Sequence, residues 1–202
     1  GADAGIRWRT HQLAAARPVE NLATVERQLK GELGASIHDT TAEVANGFFE
    51  VSYVNFDQNG ADAGNFNASS ALDEQAVGDE LIPGIPGLEG GTDNVAAEAL
   101  AYIEIPAAGI YSMVVNSDDG FGVTVGNATT PTFLELGKWD AGRGAADTSF
   151  YFRAEQPGVY LFRLLYFEGG SDARVEWFTV NANGTRALVN GTQTGSLKAF
   201  KR

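Results

Sequence analysis

The chain has no cysteine, one methionine and only two histidines among its 202 residues. Without thiols it can form no disulfide, no thiolate zinc site and no cysteine nucleophile. His11 and His38 stand apart, outside any His-x-x-x-His metal spacing, and neither a Gly-x-Ser-x-Gly elbow nor a phosphate loop occurs. No apolar run approaches the ~18 residues that a membrane-spanning helix needs. No basic-then-apolar leader is seen; the chain opens "GADAGIRWRT", as an excised module or mature fragment does. Basic residues are scarce, 14 Lys and Arg against 26 Asp and Glu, for a formal charge of −12. That balance argues against nucleic acid or an anionic membrane as partner, since both require clustered Lys and Arg. It leaves multivalent cations open.

What remains is the composition of a globular protein, 44% hydrophobic and 20% charged. "GIRWRTHQL" (Gly5 to Leu13) alternates as a first strand. "PVENLATVERQLKGELG" sets Val19, Leu22, Leu29 and Leu33 at helical spacing, with Gly34 as its stop. "GFFEVSYVNF" (Gly47 to Phe56) reads as a further strand. The polar, glycine-rich stretch from Asp57 to Asn94 lacks periodicity but carries Phe66, Leu72, Val77, Leu81, Ile82, Ile85 and Leu88. It is expected to be one long ordered loop, whose Asp62, Asp73, Glu74, Asp79 and Glu80 are available to rim a site. From Ala97 on, about nine short alternating strands are separated by Gly, Pro and Asn turn signals. The expected fold is all-β, an antiparallel, jelly-roll-like β-sandwich with one N-terminal helix and one long loop. Residues 1–202 are expected to make a single domain, with the first 94 or so built into it as an extension.

"YSMVVNSDDGFGVTVG" (Tyr111 to Gly126) sets two alternating runs about Asn116-Ser117-Asp118-Asp119-Gly120 and reads as a hairpin. A hairpin turn needs one Asp or Asn and a Gly; the second carboxylate is surplus. Adjacent residues of an extended chain point to opposite sides, so the backbone must bend there if both are to hold one ion. "YLFRLLYFE" places Tyr160, Phe162, Leu164 and Tyr166 on one face and Leu161, Arg163, Leu165 and Phe167 on the other. Both faces are largely apolar, as in a central strand covered on both sides.

The string Ser117-Asp118-Asp119-Gly120, the loop around Trp139-Asp140, Gly158-Val159-Tyr160 through Arg163 and Tyr166, then Gly169-Gly170 and Val175-Glu176-Trp177, resembles the protective-antigen-type β-sandwich domain. The resemblance covers roughly residues 98 to 180. That family recurs in secreted polysaccharide-degrading enzymes, adhesins and yeast flocculins. In its sugar-binding members the paired aspartates are joined by a cis peptide and ligate a calcium ion that binds vicinal sugar hydroxyls. The resemblance therefore implies a calcium site at Asp118 and Asp119, with Asp140 and carbonyls of the Lys138 to Arg143 loop as further ligands. Trp139 is then a surface for stacking on a sugar ring, with Arg143, Asp147 and Asp172 as further ligand-binding residues. The family's aspartate-asparagine pair before the loop tryptophan is absent here, and "EGGSDA" departs from its run of glycines.

Two readings stand at this point. In one, the chain is a non-catalytic carbohydrate-binding module of a larger extracellular or surface protein of bacterial type, with calcium as cofactor and a polysaccharide or glycan as partner. In the other it is a structural spacer or protein-interaction module of an adhesin or surface enzyme, and the aspartates only turn the chain. A glycosidase needs opposed carboxylates flanking a cleft, which two neighbours in one turn do not supply, so an enzyme is not expected.

Overall fold

The computed structural model describes residues 3–17, 19–58, 64–72, 75–127 and 130–201. In chain order the elements are β1 (Ile6–Gln12), α1 (Leu22–Leu29), β2 (Phe49–Val51), β3 (Asn55–Asp57), β4 (Val95–Ile105), β5 (Gly109–Asp118) and β6 (Gly120–Asn127). They continue with β7 (Thr130–Trp139), β8 (Ala146–Ala154), β9 (Gly158–Glu168), β10 (Arg174–Val180), β11 (Arg186–Leu188) and β12 (Ala199–Phe200). A seven-stranded sheet runs β2-β1-β4-β9-β6-β7, with β12 also on β4; a five-stranded sheet runs β11-β10-β5-β8, with β3 also on β10. Every pairing between these strands is antiparallel.

Period-2 alternation puts one face of each sheet inward. Trp8 of β1, Ala97, Ala99, Ala101 and Ile103 of β4, Phe121 and Val123 of β6, and Phe162, Leu164 and Tyr166 of β9 meet Met113, Val115, Phe150, Val175 and Trp177 from the other sheet in one core. Phe56 of β3 packs edge-on to Trp8 at 5.0 Å between centroids. Trp177 Nε1, deep in that core, donates to the Met113 sulfur at 3.0 Å, so its polar edge is not left unpaired.

The outer face of the large sheet is covered by α1. Val25 and Leu29, with Leu22 half-buried, rest on Ala96, Leu165 and Phe167, and this is why β9 is apolar on both sides. Asn21 caps the helix, its Oδ1 accepting from Thr24 N at 2.8 Å, as N-cap asparagines do. The helix is shorter than the sequence spacing predicts. It ends at Leu29, with Lys30 as its C-cap and Gly31 next at φ +75°, because a left-handed glycine closes the last turn there and not at Gly34. Val19 lies outside it and is exposed.

Two strand expectations are also corrected. Gly47 to Phe56 is not one strand: it breaks after Val51, and its halves join different sheets. Nor is Tyr111 to Gly126 a hairpin. β5 belongs to the five-stranded sheet and β6 to the seven-stranded one, so Asp119 is the corner at which the chain crosses between layers. The alternation is the same on both sides of such a corner as on both sides of a hairpin, so periodicity does not separate them.

The described parts of the long loop are tied to both sheets. Phe66 packs edge-on to Phe178 at 5.4 Å, Ile82 and Ile85 are buried, and Leu72, Leu81 and Leu88 are exposed. Asp62, Asp73 and Glu74 lie outside the described residues. The core's weight rests on Phe162, 1% exposed and 5.7 and 6.4 Å from the rings of Phe152 and Trp177. Phe162→Ala is expected to cost about 3–5 kcal/mol of stability, read as a lower urea midpoint; a loss below about 1 kcal/mol would mean that this is not the packing centre.

Candidate metal centre

The corner brings three carboxylates to one point. Asp118 ends β5, opposite Arg174 of β10. Asp119 follows, its N–H donating to Phe167 O of β9 at 3.2 Å, and Gly120 opens β6 opposite Phe167. The Asp118–Asp119 peptide is cis. Glu168 is the last residue of β9, and one ligating oxygen from each of Asp118, Asp119 and Glu168 lies within 4.8 Å of the others. Only glycine fits after the corner: a Cβ on Gly120 would stand 2.3 Å from the Phe167 ring and 2.6 Å from Trp139 O.

Backbone amides hold the two aspartates in place. Asp119 Oδ1 accepts from Arg143 N at 2.8 Å and Oδ2 from Gly169 N at 2.9 Å, while Asp118 Oδ2 accepts from Ala145 N at 3.1 Å. The Tyr166 hydroxyl donates to Asp118 O. Arg143 ties the corner to β8, donating to Ser117 O at 3.1 Å, Ser117 Oγ at 2.8 Å and Thr148 Oγ1 at 2.8 Å.

Glu168 is treated differently. It is fully buried, and among the described residues neither carboxylate oxygen has a hydrogen-bond partner. Burial, then the charges of Asp119 and Asp118, push its carboxyl up to about 9; the nearby Gly170 amide and the Arg17 guanidinium offset only part of this. Asp118 is raised to about 6 by burial and by Asp119. An ionised carboxylate buried without partners is strongly unfavourable, so the ion-free corner keeps a proton on Glu168. The alternative charge balance is a cation. Three carboxylate donors with no imidazole or thiolate suit a hard ion such as calcium.

The residues expected from sequence separate into groups. Asp118 and Asp119 are in the cluster. Asp140 is elsewhere: its Oδ1 accepts from Leu22 N at 2.6 Å, capping α1 beside Asn21. Trp139 is the final residue of β7, not a loop residue; it pairs with Phe121 and is 43% exposed, with the Arg143 guanidinium 5.0 Å from its ring centroid. Asp147 lies on β8, accepting from Asn116 Nδ2 at 2.7 Å and Asn65 Nδ2 at 2.8 Å. Asp172 follows the glycines after β9, and its charge reaches Asp118.

Sequence reasoning missed Glu168, although a signal was present. The inward face of β9 runs Phe162, Leu164, Tyr166, and the next position in that alternation is Glu168, a carboxylate ending an otherwise apolar row. It also missed Glu20 and Asp93, whose carboxylates lie against Gly169 and Gly170 respectively; no spacing in the sequence announces either contact.

Fold and corner together define an antiparallel two-sheet sandwich with an acidic, cation-competent crossing between its layers. Among solved structures the chain is similar to the PA14 sugar-binding domain from an RTX adhesin, with TM-score 0.58, 16% identity, and 93% of this chain and 95% of that one covered. It is similar to the PA14 domain of the MpAFP antifreeze protein, at TM-score 0.62, 13% identity, and 98% and 92% coverage. It is also similar to the Epithelial Adhesin 9 A domain from Candida glabrata, solved with Galb1-4GlcNAc, at TM-score 0.60, 12% identity, and 99% and 91% coverage. No protein-family model and no curated protein matches the chain. At these identities the likeness establishes the fold.

The buried acid has a pH consequence. Its folded-state pKa lies above the ordinary value of 4.5, so the native state holds a proton that the unfolded state gives up. Stability from this group is complete below about 4.5 and is lost as pH rises towards about 9. In chelator, the melting temperature of the protein should fall across that window, and Glu168→Gln should flatten the fall. An equal slope in wild type and variant would show that Glu168 does not carry it.

Proposed function

We propose that this chain is a non-catalytic carbohydrate-binding module that takes its glycan through a calcium ion held by Asp118, Asp119 and Glu168. The observation that carries the reading is Glu168: a fully buried carboxylate with two unpartnered oxygens, aimed at a pair of aspartates. Structural acids are normally hydrogen-bonded when buried, and a bound cation would compensate this one. The resemblance of Ser117 to Gly120 and Gly158 to Trp177 to the protective-antigen-type domain supports the sugar, as do the sugar-binding and glycan-complexed proteins that share the fold.

Calcium takes about 6–8 oxygens, and positions left open by the protein can be filled by vicinal sugar hydroxyls. The chain's own residues position and shape the site. Amides of Arg143, Ala145 and Gly169 fix the two aspartates. Trp139 offers an exposed ring for stacking, and Asp172 rims the same end. Asp140 acts at one remove, pinning the loop that carries Arg143 to the start of α1. Arg143 and Asp147 serve as braces, the first on Ser117 and the second on Asn116. Residues 1–202 act as one domain with the N-terminal stretch built in, since β1 lies in one sheet and β3 in the other. The module belongs to a larger secreted or surface-attached protein.

Calcium at about a hundred times its dissociation constant should raise the melting temperature by about 5–10 °C. A glycan array should show retention in calcium that chelator or Asp119→Ala abolishes. A melting temperature indifferent to calcium, with no glycan retained, would leave the spacer reading in its place.

A further inference from the structure

The N-terminal segment crosses the corner and is pinned on both sides of it. Before the crossing, the buried Arg17 donates through its side chain to Glu168 O at 2.8 Å and to Val95 O, and through its backbone N–H to Asn94 Oδ1 at 3.1 Å. After it, Leu22 N donates to Asp140 Oδ1 at 2.6 Å. Between these anchors lies Glu20, whose carboxylate is wedged between the two glycines that flank Asp119. A Cβ on Gly169 would stand 1.8 Å from Glu20 Oε1 and 3.3 Å from Asp119 Oδ2; one on Gly142 would stand 2.7 Å from Glu20 Oε2 and 3.4 Å from Asp119 Oδ1. The bare glycine faces thus form a slot that admits this carboxylate beside that of Asp119.

Glu20 makes no hydrogen bond or ion pair among the described residues. The nearby Arg17 guanidinium attracts it, whereas Asp119, an acid, repels it. Its place is set by the anchors at Arg17 and Leu22. Together with the buried oxygens of Glu168 that lack a hydrogen-bond partner among the described residues, the slot gathers carboxylates from three separate stretches of chain at one corner. The Arg17 guanidinium offsets part of this charge, and a bound cation would balance the rest.

We infer that Glu20 is a fourth carboxylate ligand of the ion, supplied by the N-terminal segment across the solvent side of the Asp118–Asp119–Glu168 cluster. The inference rests on the corner being an ion site and adds that the ion is shared between the sandwich and the segment over it. Four carboxylates raise the charge of the shell, and ligand charge is a principal determinant of calcium affinity. They still leave positions within its usual coordination of about 6–8 for other oxygens.

The test is calorimetric titration of calcium chloride into the wild-type protein, Glu20→Gln and Glu155→Gln. Glu155 is an exposed acid in the turn between β8 and β9, at the opposite end of β9, and controls for loss of bulk charge. Glu20→Gln is expected to weaken calcium binding about tenfold or more while leaving the melting temperature in chelator unchanged or higher; Glu155→Gln should leave affinity within about twofold. Wild-type affinity in Glu20→Gln, or equal losses in both variants, overturns the role of Glu20 alone. A wild-type protein that takes up no calcium overturns the ion site and this inference with it.

Discussion

Glu168 ends a strand whose inward positions are otherwise Phe162, Leu164 and Tyr166, and the register of β9 leaves its carboxylate nowhere to meet water. Phe167 beside it is locked between Ala96 of β4 and Gly120 of β6, so the strand cannot slip to release it; a one-residue slip would turn its whole apolar row outward. The same register delivers Asp119 to the end of β9, since the chain crosses between sheets at the point where Gly120 starts to pair. The acidic corner is therefore a consequence of how two layers are joined, and the loops around it are arranged to suit. Amides from the loop after β7 and from Gly169 hold Asp118 and Asp119, while Glu168 has the Gly170 amide beside it but no hydrogen bond of normal geometry among the described residues.

A second buried glutamate shows what an acid with a purely structural role looks like in this fold. Glu176 of β10 is also fully buried, but it accepts from Asn65 N at 2.8 Å, Phe66 N at 2.9 Å and Asn65 Nδ2 at 2.8 Å. It fastens the long loop to the small sheet, with Asp147 holding Asn65 from the next strand but one. Charge-assisted bonds of this kind compensate for desolvation. Among the described residues Glu168 has none of comparable geometry, and the contrast between two acids of equal burial is a clear chemical asymmetry.

The N-terminal stretch is support for the corner as much as an addition to the sandwich. α1 seals the outer face of β4 and β9, and Arg163 on that face joins Glu98 of β4 to Glu26 of the helix. Held in this way, the helix fixes the residues just before it. Arg17 reaches the backbone of Glu168, Asp140 caps Leu22, and Glu20 is left over the aspartates. An exposed surface ion pair is worth little, but the Arg163 and Arg17 contacts are partly or wholly buried, and all of them converge on one small region.

Much of this was legible in the chain. Alternation announced most of the strands from Ala97 onward, the double-faced apolar run identified β9 as central, and the surplus aspartate marked the corner as more than a turn. Other features were not legible. Hairpin and sheet-to-sheet corner share one pattern, so alternation does not reveal the partner of β5. Gly34 reads as the helix stop, although Gly31 is the glycine that closes the last turn. The ligand role that the resemblance implies for Asp140 carries no sign of its bond to Leu22 N, which depends on where α1 docks. Local chemistry, read from neighbours along the chain, determined the strands, the core face and the first two carboxylates. Tertiary structure alone decided the third and the acid over it, because Glu168 and Glu20 reach the aspartates from distant stretches through strand register and helix docking, which no local pattern encodes.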